Sequence, residues 1–380
     1  MPVINKFRSI GASKIKNNRQ AVIALDHDVQ NKSEANLKKY RLIEEFAKKQ
    51  EVDFFRAGSG IGHQIMVEKG YAFPGTLVVA SDSHSNHYGG CGALGTPVVR
   101  TDAVSIWTTQ STWWQVPPVA KVNLTGTLPL GVTGKDVIIA LCGLFNQDEV
   151  LNHAIEFMGS EETMKSIPID TRLTIANMTT EWGALSGLFP IDDNLQNWLR
   201  YKATESALYQ SSDLGDNTPT PARFSHQRID ELFANPPRAD QGAQYAKCLY
   251  IDISTLTPYV SGPNSVKIIT PLDELARQNI KIDKAYLVSC TNSRASDLAA
   301  AAKVFRDAAQ IYGGTVPRVD SGVNLYVSAA SSHEQLAAEL AGDWQVLLEA
   351  GAITLPPACN ACIGMVKSLF EFVFLKSLVD

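Results

Sequence analysis

The chain has 380 residues, enough for two or three domains with their own cores, and its 45% hydrophobic and 19% charged residues are ordinary for a globular protein. Its 34 basic and 39 acidic residues are well mixed and leave a net charge of −5, so there is no basic footprint for nucleic acid. No apolar run approaches the roughly 20 residues needed to cross a bilayer, and neither nucleic acid nor a membrane is an expected partner.

In chain order, residues 3–7 (VINKF) alternate as a strand would. The first 25 residues carry five basic side chains and no acid, but this is no convincing targeting segment. An apolar run at 21–25 (AVIAL) ends at Asp26-His27, as a buried strand would deliver polar groups to a cleft edge. Residues 34–50 then show Leu37, Tyr40, Ile43 and Phe46 at helical spacing behind Ser33, a good N-cap. The Asp53-Phe54-Phe55 run leads to a Gly-rich turn (GSGIG, 58–62) and His63. A second buried-strand run at 76–80 empties into Ser81-Asp82-Ser83-His84. Repeated apolar strand, polar cluster and helix argue for α/β layers with chemistry at the strand ends.

The alternating segment at 122–126 marks an expected boundary. Residues 201–244 turn polar and Pro-rich, as a surface excursion would. Structure resumes at 248–253. A strand is expected at 285–289, a helix at 295–309, a strand at 324–329 and one helix at 333–350. The expected division is 1–121, 122–281 (holding the polar insertion near 201–244) and an incomplete 282–380 with an atypical tail at 365–380.

Six cysteines in a chain this long are not a disulfide framework. Cys91, Cys142 and Cys248 are scattered and read as packing residues. Cys290 follows a strand, and Cys359 and Cys362 have the two-residue spacing that lets both thiolates face one centre. Four-ligand structural zinc lacks its fourth partner. Three thiolates suit a [4Fe–4S] cluster with one iron open to substrate. On spacing alone, a redox pair with an unrelated buried Cys290 stands equally well.

Context separates these readings. YLVSCTNSR (286–294) followed by CxxCIG (359–364) resembles the paired cluster signatures of the aconitase superfamily, and ASDSHSNHYGG (80–90) resembles its other specific motif. Further stretches, 25–40, 60–74, 92–118 and IANMTTEWGALSGLFP (175–190), resemble the branch that serves the α-aminoadipate route to lysine. The TTQSTWWQ stretch at 108–115 favours that branch over isopropylmalate isomerase. The resemblance is almost continuous from residue 3 to 364 and implies a fold: α/β, with aconitase-like multi-domain α/β/α layers forming iron–sulfur core domains, and the swivel domain absent. It also implies a hydro-lyase of the mitochondrial matrix that acts on a small tricarboxylate.

Carried across residue by residue, the resemblance makes Cys290, Cys359 and Cys362 ligands of one [4Fe–4S] cluster with an open iron site. Asp26, His27, His63, His84 and Glu181 take catalytic roles, with Glu181 partnering His84. Asp82, Ser83, Asn177 and Arg294 take substrate-binding roles, although Arg294 could equally cap the helix after it. The residue types suit the chemistry on their own account. Hydroxide leaves poorly without a Lewis acid and a proton donor, and a carboxylate fixes a histidine's tautomer. His153, His226 and His333 have no polar strand-end surroundings and read as surface or structural.

Three departures from the family pattern stand out. Asn360-Ala361 replaces Gly-Pro between the last cysteines, though Asn tolerates a left-handed turn. After Gly364 the Gly-rich, Arg-bearing continuation gives way to an apolar tail without Arg, which reads like a shifted frame. The swivel domain, with the serine base and another arginine, is missing, as is a short N-terminal segment. The expectation is a Lewis-acid half without its base half. That leaves three outcomes open: no turnover by this chain alone, a non-catalytic iron–sulfur remnant, or a large subunit whose swivel-domain polypeptide is separate.

Overall fold

In the computed structural model, residues 1–209, 223–359 and 361–363 are described. The chain divides into two compact units, each assembled from distant stretches: Met1–Ile65, Val99–Trp113 and Lys281–Asp380 form one, and Met66–Val98 and Trp114–Ile280 the other. The tail at 365–380 and Asn360 lie outside the described residues.

The first unit is built around two small parallel sheets. Strand Val22–Ala24 pairs with Asp53–Phe55, Val22 opposite Asp53. Strands Lys284–Leu287, Asn324–Val327 and Ile353–Thr354 form the second sheet in that order. Helix Glu34–Gln50 starts where Ser33 Oγ accepts from Asn36 N at 3.3 Å. It stops at Glu51, which turns left-handed at φ 57°. Its buried Ile43, Phe46 and Ala47 recur at helical spacing and face the core.

The strand expected at 3–7 is instead helix Pro2–Ser9. Pro2 sits in the first turn, where its missing N–H costs nothing, and Ile4 and Phe7, three apart, are both buried. Phe7, Phe46 and Trp107 form an aromatic triangle with centroids 5.7–5.9 Å apart, which a five-residue strand could not have joined at Phe7 and Ile4 together. The single helix expected at 333–350 is two, Ser332–Leu340 and Asp343–Glu349. Gly342 breaks it at φ 76°, a conformation glycine adopts without strain.

The second unit carries a four-stranded parallel sheet, in the order Ser186–Leu188, Ala154–Gly159, Val119–Thr125, Lys247–Asp252. Ala120, Val122 and Leu124 alternate inward at full burial, and the nearly all-apolar helix Gly134–Leu144 packs with them in one core. Strand Leu77–Ala80 pairs with Leu94–Pro97, and between them the polar segment Ser83–Cys91 packs on helix Ile169–Trp182. The two glycines of that segment are demanded by space. A Cβ on Gly89 would lie 1.6 Å from Gly187 O, and one on Gly90 2.5 Å from Leu173 Cα. Of the surface excursion expected at 201–244, residues 210–222 lie outside the described residues. Residues 234–244 are almost all exposed, while a few side chains nearer the gap are buried. Helix Asp193–Tyr209 buries Ala203, and Phe224 and Ile229 of the following turn and helix join the same core.

Candidate active site

In the first unit the Asp26-His27 pair leaves strand Val22–Ala24 and is tied to the second cysteine loop through the main chain. Cys359 N donates to Asp26 O at 2.8 Å, and His27 and Cys359 form an isolated parallel bridge. The Asp26 carboxylate takes up both its neighbours: Oδ1 lies 2.8 Å from His27 Nδ1 and Oδ2 accepts from Gly62 N at 2.7 Å. Tyr40 Oη donates to His27 O at 2.6 Å and fixes the peptide on the other side. Asp26 thereby sets Nδ1 as the ring nitrogen of His27 that is turned to it. His63 is buried in the first turn of helix Gly62–Glu68.

Cys290 and Cys359 are buried against Ile61, and Cys362 is exposed. A hydrogen bond to Cys362 pushes the Cys359 thiol well above its ordinary pKa, reinforced by burial and by the charges of Cys362, Cys290 and Asp26. A cationic centre would favour the Cys359 thiolate by offsetting these charges. Among the described residues no three His, Cys, Asp or Glu side chains cage a single metal ion. The donor set is purely thiol, brought together from two loops, and in type it fits a cluster in which each sulfur meets its own iron.

Cys290 stands in a strained loop. Ser289 and Ser293 hold φ of 118° and 115°, far outside the region L-residues prefer. Ser289 Oγ accepts from Thr291 N and Asn292 N at 3.2 and 3.3 Å. Arg294, 2% exposed, stands at the N-terminus of helix Ala295–Ile311 and its Nη2 donates to Thr291 O at 2.9 Å. An apolar hollow of about 400 Å³ elsewhere in this unit, lined by Tyr286, Phe305 and Leu347 among others, includes none of the candidate residues.

The other candidates lie in the second unit. His84 Nε2 is 2.7 Å from Glu181 Oε1, and its backbone N donates to Asp82 Oδ1 at 3.0 Å. Thr180 Oγ1 donates to Ser83 O at 3.0 Å, so the Asp82–His84 turn is docked on helix Ile169–Trp182 at both Thr180 and Glu181. Asn177, one turn back on that helix, is fully buried, and its Nδ2 sits 3.3 Å from His87 Nδ1. His87 was not singled out by the sequence. It lies in the same SDSHSNH run and looks there like any other polar member, although it is fully buried.

Two carboxylates of the first unit were also missed. Asp297 accepts from Asn292 Nδ2 at 2.8 Å, Ser293 N at 2.9 Å and Arg294 N at 3.0 Å. Glu334 accepts from Ala295 N at 2.6 Å and from Gln64 Nε2 at 3.0 Å, linking the residue beside His63 to the helix that follows the Cys290 loop. An acid three residues after a helix start, as in Arg294-Ala-Ser-Asp297, is the sequence signal that could have pointed to the first of them.

The model of the aconitase family (aconitate hydratase) matches residues 6–371. This chain belongs to the aconitase family. It is 68% identical over 370 residues to a protein of Neurospora crassa named homoaconitase, mitochondrial, covering 97% of this chain and 47% of that protein. Proteins of the same name from Aspergillus oryzae and Candida albicans are 66% and 58% identical, again over 97% of this chain and over 48% and 51% of their own lengths. The chain thus spans about half the length of the curated relatives it matches. Aconitase-family proteins typically bind a [4Fe–4S] cluster.

Proposed function

We propose that this chain supplies the cluster-binding, hydroxyl-handling part of a homoaconitate hydratase, which interconverts homoisocitrate and homoaconitate in mitochondrial lysine biosynthesis. The observation that carries the reading is the attachment of the Asp26–His27 pair to Cys359 through the main chain. In this reading, main-chain hydrogen bonding rather than a flexible side chain keeps a proton donor near the thiols.

Cys290, Cys359 and Cys362 would hold one [4Fe–4S] cluster. When bound, it supplies a Lewis-acid iron that takes charge from a departing hydroxyl. His27, oriented by Asp26, passes a proton from Nε2 to that hydroxyl, and takes it back when water adds. His84 is held the same way by Glu181, so it can carry a second proton or order the water. Asp82, Ser83 and Asn177 hydrogen-bond the substrate in this reading, and His63 is a further proton or hydrogen-bond partner. Arg294 adds positive charge for a carboxylate while its Nη2 anchors the cysteine loop at Thr291 O.

The test is anaerobic reconstitution with iron and sulfide analysis, followed by ultraviolet detection of homoaconitate formed from homoisocitrate. The assay is run with and without the separately expressed C-terminal half of one of the Aspergillus relatives. The expected outcome is a cluster that is lost in Cys290→Ser, and turnover that falls at least about 100-fold in His27→Gln with the cluster intact. Tetrahedral zinc without sulfide, or turnover indifferent to His27→Gln, would overturn the reading. A stable cluster with no turnover in either format would favour a non-catalytic iron–sulfur protein.

A further inference from the structure

We propose that Asp297 is the positioning residue for Cys290, resting on the reading of Cys290 as a cluster ligand. The side chain belongs to the first turn of helix Ala295–Ile311 and, in an ordinary cap, would return only to the N–H that opens the helix. It does more here. Besides Arg294 N, its two oxygens accept from Ser293 N, one residue outside the helix, and from Asn292 Nδ2, two residues from Cys290.

What needs holding is visible in the backbone. Ser293 turns through φ 115° and Ser289 through φ 118°, on either side of Cys290-Thr291-Asn292. Left to itself, a loop with two such turns would relax and carry Cys290 with it. On one flank Ser289 Oγ takes Thr291 N and Asn292 N, and on the other the Asp297 carboxylate takes three donors. The helix end that bears Asp297 is itself seated, because Glu334 Oε2 accepts Ala295 N at 2.6 Å. The carboxylate is thus a charged acceptor with three bonds to the loop, and the helix transmits a fixed position to it.

The experiment uses the full chain. In the cluster-free protein, alkylation by iodoacetamide is followed at Cys290 by mass spectrometry, with the buried Cys142 as internal reference. In Asp297→Asn, labelling of Cys290 relative to Cys142 should rise about tenfold or more, since losing a charged acceptor favours local opening. The reconstituted variant should show altered visible and EPR spectra and a shorter cluster lifetime in air, with Asp297→Glu restoring part of each. Ala302→Gly, buried further along the same helix, loosens the helix without touching the loop and should leave both readouts at wild-type values. Wild-type labelling together with wild-type spectra in Asp297→Asn would overturn the proposal, as would equal effects in Ala302→Gly. A wild-type chain that takes up no cluster would sink the cluster reading, while the labelling of Cys290 still judges Asp297.

Discussion

Asp26→Asn is the substitution whose consequence the structure fixes most closely. The carboxylate faces two donors, His27 Nδ1 at 2.8 Å and Gly62 N at 2.7 Å, and its side chain is 14% exposed. Hydrogen bonds to a charged group contribute about 1.5–3 kcal/mol each, and a buried donor left unmatched costs about 1–3 kcal/mol. An asparagine offers one oxygen and one NH₂, so one of the two donors must face another donor. The loss is therefore about 2–4 kcal/mol, concentrated where Gly62 begins its helix. If the amide keeps its oxygen toward Gly62, His27 must adopt the other tautomer; if toward His27, the Gly62 amide is orphaned. Hydrogen exchange at the Gly62 amide reads the second case, and the ¹⁵N shifts of the His27 ring read the first. Exchange should accelerate about 30-fold to 1000-fold, or the His27 tautomer should invert. A variant that changes the exchange rate less than threefold and keeps the His27 tautomer would refute the account of how Asp26 holds this corner.

Gly89→Ala should destabilise the second unit by at least about 3 kcal/mol, because the new Cβ meets backbone that no side-chain rotation can clear; its thermal midpoint, followed through tryptophan emission, checks this. Alkali should do so by another route. Burial, reinforced by the charge of Glu181, pushes the Cys142 thiol from its ordinary 9.0 up to about 12. The unfolded chain releases that proton near pH 9 and the folded unit keeps it. The contribution, up to about 4 kcal/mol, is complete below pH 9 and is lost as pH rises toward 12. Cys142→Ala should lack this part of the alkaline decline, and parallel pH profiles for the two proteins would contradict the assignment.

What could be read directly from the sequence was local and strongly periodic. Helix Glu34–Gln50 announces itself by Ser33 and by apolar residues spaced three and four apart, and the strand at 77–80 by an apolar run ending in a polar cluster. Residues 3–7 misled because five residues of V-I-N-K-F satisfy a period of 2 nearly as well as 3.6. Gly342 was invisible as a break because apolar spacing runs on across it. The joining of 1–65 with 281–363, and hence of Asp26 with Cys359, depends on pairing across more than 300 residues, which no local pattern encodes. The roles offered for the cysteines came from motif resemblance; spacing alone left a redox pair open. His87 and Asp297 were passed over for a different reason. Their part is to hold other polar groups, and composition does not distinguish a held group from a holding one.

The two strained serines allow the strain itself to be measured. Ser289→Gly and Ser293→Gly each relieve a positive φ that costs a non-glycine residue about 1–3 kcal/mol, and each adds about 0.5–1 kcal/mol of unfolded-state entropy. Those two terms nearly cancel when the variants are compared with each other. What differs is the hydroxyl. Ser289 Oγ accepts from Thr291 N and Asn292 N, together worth about 1–3 kcal/mol. Ser293 Oγ is buried with no partner among the described residues, so its removal relieves a cost. Ser293→Gly should therefore leave the first unit at least as stable as wild type, and Ser289→Gly should fall below Ser293→Gly by about 1–3 kcal/mol. Native-state hydrogen exchange at Val327 and its strand neighbours, in the core of that unit, measures the difference without requiring two-state unfolding of the whole chain. If Ser289→Gly proves as stable as Ser293→Gly, then Ser289 Oγ does not brace the loop, and the flank opposite Asp297 is held by something else.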